Sequence, residues 1–148
     1  MSPEPAPPQP AKVIFACVHG AGRSQMAAAF FNALADPELA RAFAAGTRPA
    51  ERIHPVVVAA MNESGIDLAH IRPRLLAAEL VEGAALLVTM GCGEECPVVP
   101  GARREDWPLE DPGGRELRDV RPVRDEIRRR VSELIQRAGW GNRALVAP

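Results

Sequence analysis

Lys12-Val13-Ile14-Phe15-Ala16, followed directly by Cys17-Val18-His19-Gly20-Ala21-Gly22-Arg23-Ser24, passes from a continuous apolar run into a glycine-containing turn. The first five residues read as a short buried strand, because the run does not alternate and is partly β-branched. Val18 to Gly22 forms the turn. Apolar residues at Met26, Ala27, Phe30, Phe31 and Leu34 then recur at helical spacing, until Asp36-Pro37 stops the pattern. A strand, a glycine turn and a helix in immediate succession open an α/β domain.

The rest of the chain repeats the alternation. Ala40 to Ala45 reads as a second strand ended by Gly46. His54-Pro55 opens a helix that runs to Gly65, and Pro73 to Val81 reads as a further helical stretch. Ala85 to Met90 is the clearest strand, wholly apolar but for Thr89 and bounded by Gly83 and Gly91. Gly91 to Gly114 is rich in glycine and proline, with a short strand expected near Glu105 to Trp107. A final helix carries apolar residues at Leu117, Val120, Ile127, Val131, Leu134 and Ile135 and ends at Gly139. Pro122 either kinks that helix or marks where its regular part begins. Its arginines alternate with acidic residues, as on a solvated face with i,i+4 pairs. Such alternation implies a mostly parallel sheet covered on both faces, with ligands beyond the carboxyl ends of its strands.

At 148 residues, with 47% hydrophobic and 25% charged, the chain suits one globular domain able to bury its own core. Residues 1–11 form a proline-rich tail without core-forming residues, residues 12–140 the domain, and residues 141–148 a C-terminal tail. A formal net charge of −1 argues against a nucleic-acid binder held by bulk charge. The longest apolar runs, Val56 to Met61 and Ala84 to Val88, fall far short of the roughly 20 residues that span a bilayer. The N-terminus carries five prolines and no apolar stretch, unlike a secretory signal. A cytoplasmic setting is therefore expected. There the three cysteines are reduced, and chemical rather than structural roles are expected of them.

A turn between a strand and a helix can wrap its backbone N–H groups around a tetrahedral anion, and the helix adds its positive end. Val18, His19, Gly20, Ala21, Gly22 and Arg23 would supply that cradle. These groups favour the thiolate of Cys17, which is the attacking species. Arg23 can hold two oxyanion oxygens with its planar fork, and Ser24 can donate a hydrogen bond to the thiolate. A cysteine with arginine six residues on is common by chance in so arginine-rich a chain. The strand before, the glycines within and the helix after make the motif specific. Cys92 and Cys96 follow the Ala85 to Met90 strand. On one helical turn their Cα atoms would stand about 6 Å apart, within disulfide range. His19, His54 and His70 show no zinc-ligand spacing, so no metal is expected. Asp111-Pro112 reads from composition as an ordinary turn, with Glu105, Asp106 and Glu110 as nearby acidic rivals. Trp107 reads as a packing residue.

In Cys17 to Ser24 and the following Gln25-Met26-Ala27, the chain resembles the arsenate reductases built on the low-molecular-weight protein tyrosine phosphatase fold. Val88 to Cys92, Cys96-Pro97, Glu105-Asp106-Trp107 through Asp111-Pro112, and Val123 to Ile127 match as well. The resemblance covers nearly everything from Lys12 to about Ala138. It implies a three-layer α/β sandwich around a central, mostly parallel four-stranded sheet flanked by helices. It also implies reduction of arsenate to arsenite by the nucleophile Cys17, with Asp111 as general acid. Cys92 would attack the Cys17 adduct, Cys96 would resolve the disulfide, and thioredoxin would act as reductant, with no cofactor. Phosphate and sulfate are the expected competing oxyanions. Gly20 stands where the family usually carries Asn. Ala28 stands where potassium-binding members carry Glu, so the resemblance gives no support for a potassium site. A phosphomonoesterase using Cys17, Arg23 and Asp111 alone is the alternative, and a non-catalytic oxyanion or redox sensor a third. The chain lacks tyrosine altogether. The phosphatases of this fold usually carry tyrosines just after Asp-Pro, so this favours the reductase.

Overall fold

Ala11–Cys17 forms β1, whose last five residues are all buried. In the computed structural model, which describes residues 9–91 and 101–141, this strand is central to a four-stranded sheet. The other strands are β2 (Ala40–Gly46), β3 (Leu86–Thr89) and β4 (Arg103–Asp106), in the order β2-β1-β3-β4, with every pairing parallel. Parallel strands with both faces covered need apolar side chains on both sides, hence the unbroken apolar runs of β1 and β3. The edge strand β4 instead reads Arg-Arg-Glu-Asp and is largely exposed, and charges on an edge discourage pairing with another chain.

The helices are α1 (Arg23–Leu34), α2 (Pro55–Glu63), α3 (Ala78–Val81) and α4 (Leu117–Ala138). Alternate residues of β1 point to opposite faces. Val13, Phe15 and Cys17 enter the larger core with Met26, Phe30 and Phe31 of α1, Val57 and Met61 of α2, and Ile127 and Val131 of α4. Ile14 and Ala16 enter a smaller core with Leu87, Val81 and Ala84, flanked by Leu76 and Leu80. Phe15 anchors the larger core, its ring centroid 6.0 Å from Phe31 and 5.6 Å from Trp107. The packing role read for Trp107 holds: it is buried, and its indole N–H donates to Glu105.

The order 2-1-3-4 makes the chain leave β1 toward one side for β2 and return to its other side for β3. The loops after β1 and β3 therefore part at their carboxyl ends and open a crevice, the usual ligand position in such sheets.

Several expected boundaries need correction. The stretch Pro73 to Val81 is helical only from Ala78. Leu75 instead pairs with Gly46 as an isolated parallel bridge; Gly46 donates to the Arg74 carbonyl and Leu76 to that of Gly46. The end of β2 thus recruits these backbone groups before a helix can use them. β4 begins two residues before Glu105 and ends at Asp106, so Trp107 lies just past it. Pro122 does not mark the start of the regular helix, because α4 already begins at Leu117 and runs through it; its exposed position lets the freed carbonyl face water. Gly139, at φ 74°, ends α4 in a left-handed turn, with Trp140 N–H bonded to the Ile135 carbonyl. β1 begins at Ala11, and Gly141 bridges Ala35, so both residues join the folded unit. Of the expected tails, residues 1–8 and 142–148 lie outside the described residues. Among the described residues no helix is long and apolar enough to cross a membrane.

Candidate active site

Cys17 ends β1 and is 2% exposed. Each backbone carbonyl from Cys17 to Gly22 then accepts a hydrogen bond from outside the turn. Thr47, Arg48 and Ala50 donate backbone N–H groups to Cys17, Val18 and His19, at 3.2, 2.8 and 2.9 Å. The Gln25 side-chain amide donates to Gly20 at 2.8 Å. His54 donates its N–H to Ala21 and Met26 to Gly22, both at 3.0 Å. A trans peptide sets its C=O and the next N–H on opposite sides, and there is no cis bond among the described residues. With these six carbonyls turned outward, the N–H groups of residues 18–23 face the interior of the turn. The N-terminus of α1 points the same way, an arrangement chemically able to hold an anion.

Gly20 adopts φ 59°, a conformation that costs glycine nothing. Gln25 reaches back from α1 and bonds the carbonyl of this glycine. The turn also packs backbone to backbone on the end of β2. A Cβ on Gly46 would stand 2.5 Å from Gly20 N and 2.7 Å from the Val18 carbonyl oxygen.

Ser24 is fully buried, with its Oγ 3.0 Å from Cys17 Sγ. Arg23 is 6% exposed; one guanidinium nitrogen donates to the Leu109 carbonyl at 3.0 Å. Its Nε is buried and is the one such side-chain atom without a partner among the described residues. The guanidinium lies so close over Gly91 that a Cβ there would collide with Nη1. Position 91, two residues past the end of β3, must therefore be glycine for Arg23 to hold this pose.

Of the four acidic candidates, only Asp111 faces the turn. Its Oδ2 lies 3.9 Å from Arg23 Nη2 and 3.7 Å from His19 Nδ1, while Oδ1 accepts the Gly113 N–H at 2.9 Å. Glu105 pairs with Arg137 at 3.1 Å, Asp106 with Arg104 at 3.4 Å and Glu110 with Arg115 at 3.9 Å. Cys92 and Cys96 lie outside the described residues.

His54, Gln25, Gly46 and Leu109 belong to the site and were not picked out as such from sequence. His54 caps α2 beside the turn, its ring 6.0 Å from that of His19. Burial pushes its imidazole below the ordinary histidine value; Asp111 opposes the shift, and His19 and Arg23 add to it. Sequence spacing gave no metal-ligand pattern among the histidines, yet the ligand atoms of His19, His54 and Asp111 lie within 4.8 Å of one another.

Residues 12–140 match the family described as low molecular weight phosphotyrosine protein phosphatase. A glutaredoxin arsenate reductase of Synechocystis is 34% identical over 127 residues, covering 84% of this chain and 95% of that protein. An arsenate reductase structure from Archaeoglobus fulgidus is 34% identical with a TM-score of 0.71, covering 84% of this chain and 98% of that one. The structure of a thioredoxin-dependent arsenate reductase of Corynebacterium glutamicum is 35% identical with a TM-score of 0.72. The match covers 86% of this chain but only 61% of that one. The resemblance read from the motifs and the three-layer α/β fold are both borne out.

Proposed function

Because the chain belongs to the low molecular weight phosphotyrosine protein phosphatase family, we propose that it uses this anion-binding turn to reduce arsenate to arsenite. The observation that carries the reading is the turn itself, with six carbonyls bonded outward, their amides inward, and a buried guanidinium nitrogen left without a partner. Such a site suits a tetrahedral oxyanion held over the Cys17 sulfur.

The Cys17 thiolate attacks arsenic, while the turn amides and Arg23 hold the remaining oxygens. Asp111 gives its proton to the departing oxygen, which leaves as water. Cys92 then attacks the Cys17 sulfur. The electron pair of the sulfur–arsenic bond goes to arsenic, which falls from the +5 to the +3 state, and a Cys17–Cys92 disulfide forms. Cys96 attacks Cys92 and releases Cys17 as thiolate, and an external dithiol reduces the Cys92–Cys96 bond. Two electrons leave the thiols and two reach arsenic, so the cycle balances without a cofactor. Thioredoxin is the proposed reductant. The relatives include both a thioredoxin-dependent and a glutaredoxin enzyme, so the assay below compares both donors.

A second reading is supported by the family description and by Cys17, Arg23 and Asp111 forming a complete set for aryl-phosphate hydrolysis without the other cysteines. The test is arsenate-dependent NADPH oxidation, coupled through thioredoxin and its reductase or through glutathione and glutaredoxin. Turnover is expected in wild type and lost in Cys17→Ser, Cys92→Ser and Cys96→Ser. Asp111→Asn is expected to cost roughly 10²–10⁴-fold, the usual weight of general acid catalysis. Aryl-phosphate hydrolysis that survives Cys92→Ser, without arsenate turnover, establishes the phosphatase instead.

A further inference from the structure

His19 comes from the turn, His54 from the cap of α2 and Asp111 from the segment before α4. They are separated by at least 35 residues in the chain, yet each offers one ligand atom to the same small volume at the mouth of the anion pocket. We propose that these three residues form a binding site for one divalent cation of the borderline class, Zn²⁺ foremost.

Two imidazoles and a carboxylate are a donor set that Zn²⁺ accepts, with a fourth position left to water. Metal–ligand bonds of roughly 2.0–2.2 Å at tetrahedral angles require ligand atoms about 3.4 Å apart. His19 Nδ1 and Asp111 Oδ2 already stand at 3.7 Å, and all three ligand atoms lie within 4.8 Å. Closure therefore asks at most about 1.4 Å of any pair, on the order of a side-chain rotation.

The residues are suited to that adjustment. His54 is the fixed member: its N–H is bonded to the Ala21 carbonyl and Pro55 starts a helix behind it. His19 and Asp111 are the movable members, with side chains 47% and 43% exposed. Glycines keep the space between them open. A Cβ on Gly113 would stand 3.1 Å from His54 Nε2 and 3.2 Å from Asp111 Oδ1. The Gly113 N–H occupies Oδ1, which leaves Oδ2 toward His19. Arg23 stands 3.9 Å from Oδ2 and keeps its closer bond for the Leu109 carbonyl.

One consequence rests on the proposed role of Asp111. A metal held on its carboxylate removes the proton donor and covers the pocket, so Zn²⁺ would inhibit turnover reversibly. Binding of the metal does not depend on that role.

The test uses the full chain with Cys17, Cys92 and Cys96 replaced by serine, so that no thiolate supplies a ligand. Zn²⁺ calorimetry is expected to give one site per chain, and Co²⁺ a visible spectrum of low-symmetry nitrogen–oxygen coordination. His54→Ala and His19→Ala should each weaken Zn²⁺ binding at least about tenfold, in line with losses on perturbing metal ligation. Circular dichroism checks that each variant is folded, and His54→Gln repeats the test at closer side-chain volume. No one-to-one binding, or an affinity unchanged in the folded His54 and His19 variants, overturns the site. In the enzyme with its cysteines, Zn²⁺ should suppress turnover, a chelator should restore it, and His54→Ala should need at least about tenfold more zinc. Binding without inhibition keeps the metal site and removes Asp111 as the acid.

Discussion

Ser24 has no room to be anything but a partner for Cys17, since it is fully buried with its hydroxyl 3.0 Å from the sulfur. A hydrogen bond to a charged group contributes roughly 1.5–3 kcal/mol, so Ser24→Ala should lower kcat/KM about 10–100-fold. The loss should fall mainly on kcat, because the turn amides proposed to bind substrate stay in place; steady-state kinetics with arsenate checks this. Gly46 acts from the other side of the turn. Alanine there forces a methyl against three backbone atoms at 2.5–2.7 Å, none of which can rotate away. Overpacking of this kind costs about 1–3 kcal/mol, and it pushes the turn out of its anion-binding shape. Gly46→Ala should therefore lower both the urea midpoint and the affinity for phosphate. Unchanged phosphate affinity would show that the turn keeps its shape without this contact.

At the scale of elements, the joint between α2 and α4 is electrostatic where it meets water. Glu63 at the end of α2 accepts three bonds from Arg121, the shortest at 2.6 Å, and one from Arg124 at 2.7 Å. Arg124 also donates to the Ala60 carbonyl at 2.9 Å, which ties the α4 side chain to α2 directly. The bonds from Arg121 and Arg124 hold the Glu63 carboxyl at about 2, against an ordinary 4.5. The folded state thus takes up this proton less readily than the unfolded chain. The stabilisation is complete above pH 4.5 and is lost as pH falls from there toward 2. Glu63→Gln should be less stable than wild type at neutral pH, with the gap closing across that window. Thermal melts at stepped pH measure it, and a gap that persists at the acid end would refute the assignment. The pair is exposed, so its effect is modest and is further weakened by salt.

For the molecule as a whole, the strand order 2-1-3-4 places the turn after β1 and Gly91 after β3 on opposite lips of one crevice. The segment from Trp107 to Asp111 then closes over it, through the Leu109 carbonyl and the Asp111 carboxylate. An anion that binds only the folded arrangement stabilises the whole chain by mass action, by about 2.7 kcal/mol at a hundred times its Kd. Phosphate and sulfate should therefore raise Tm with concentration. Arg23→Ala should remove most of the rise, because the orphaned Nε and the fork beside it are lost. A Tm that climbs equally in the variant would trace the effect to general salt action.

The proposed nucleophile site was legible in the chain because its parts are contiguous. Strand, turn and helix follow one another from Lys12 to Leu34, and a peptide carbonyl turned outward sets the next amide inward wherever that turn forms. The parallel sheet was legible for the same local reason, as unbroken apolar runs in Val13 to Ala16 and Leu86 to Val88. Pro73 to Leu76 misled because its local pattern suits a helix, while the end of β2 offers its backbone a competing partner at Gly46. Asp111 could not be separated from Glu105, Asp106 and Glu110 by composition. Only the fold gives the other three arginine partners elsewhere and leaves Asp111 facing Arg23. His54 and Gly46 were invisible in their roles because nothing near them in sequence marks the site they serve. What the amino-acid order determined alone was the chemistry carried by neighbours along the chain. What tertiary structure decided was which distant side chains meet it, since convergence across dozens of residues depends on how the sheet is wound.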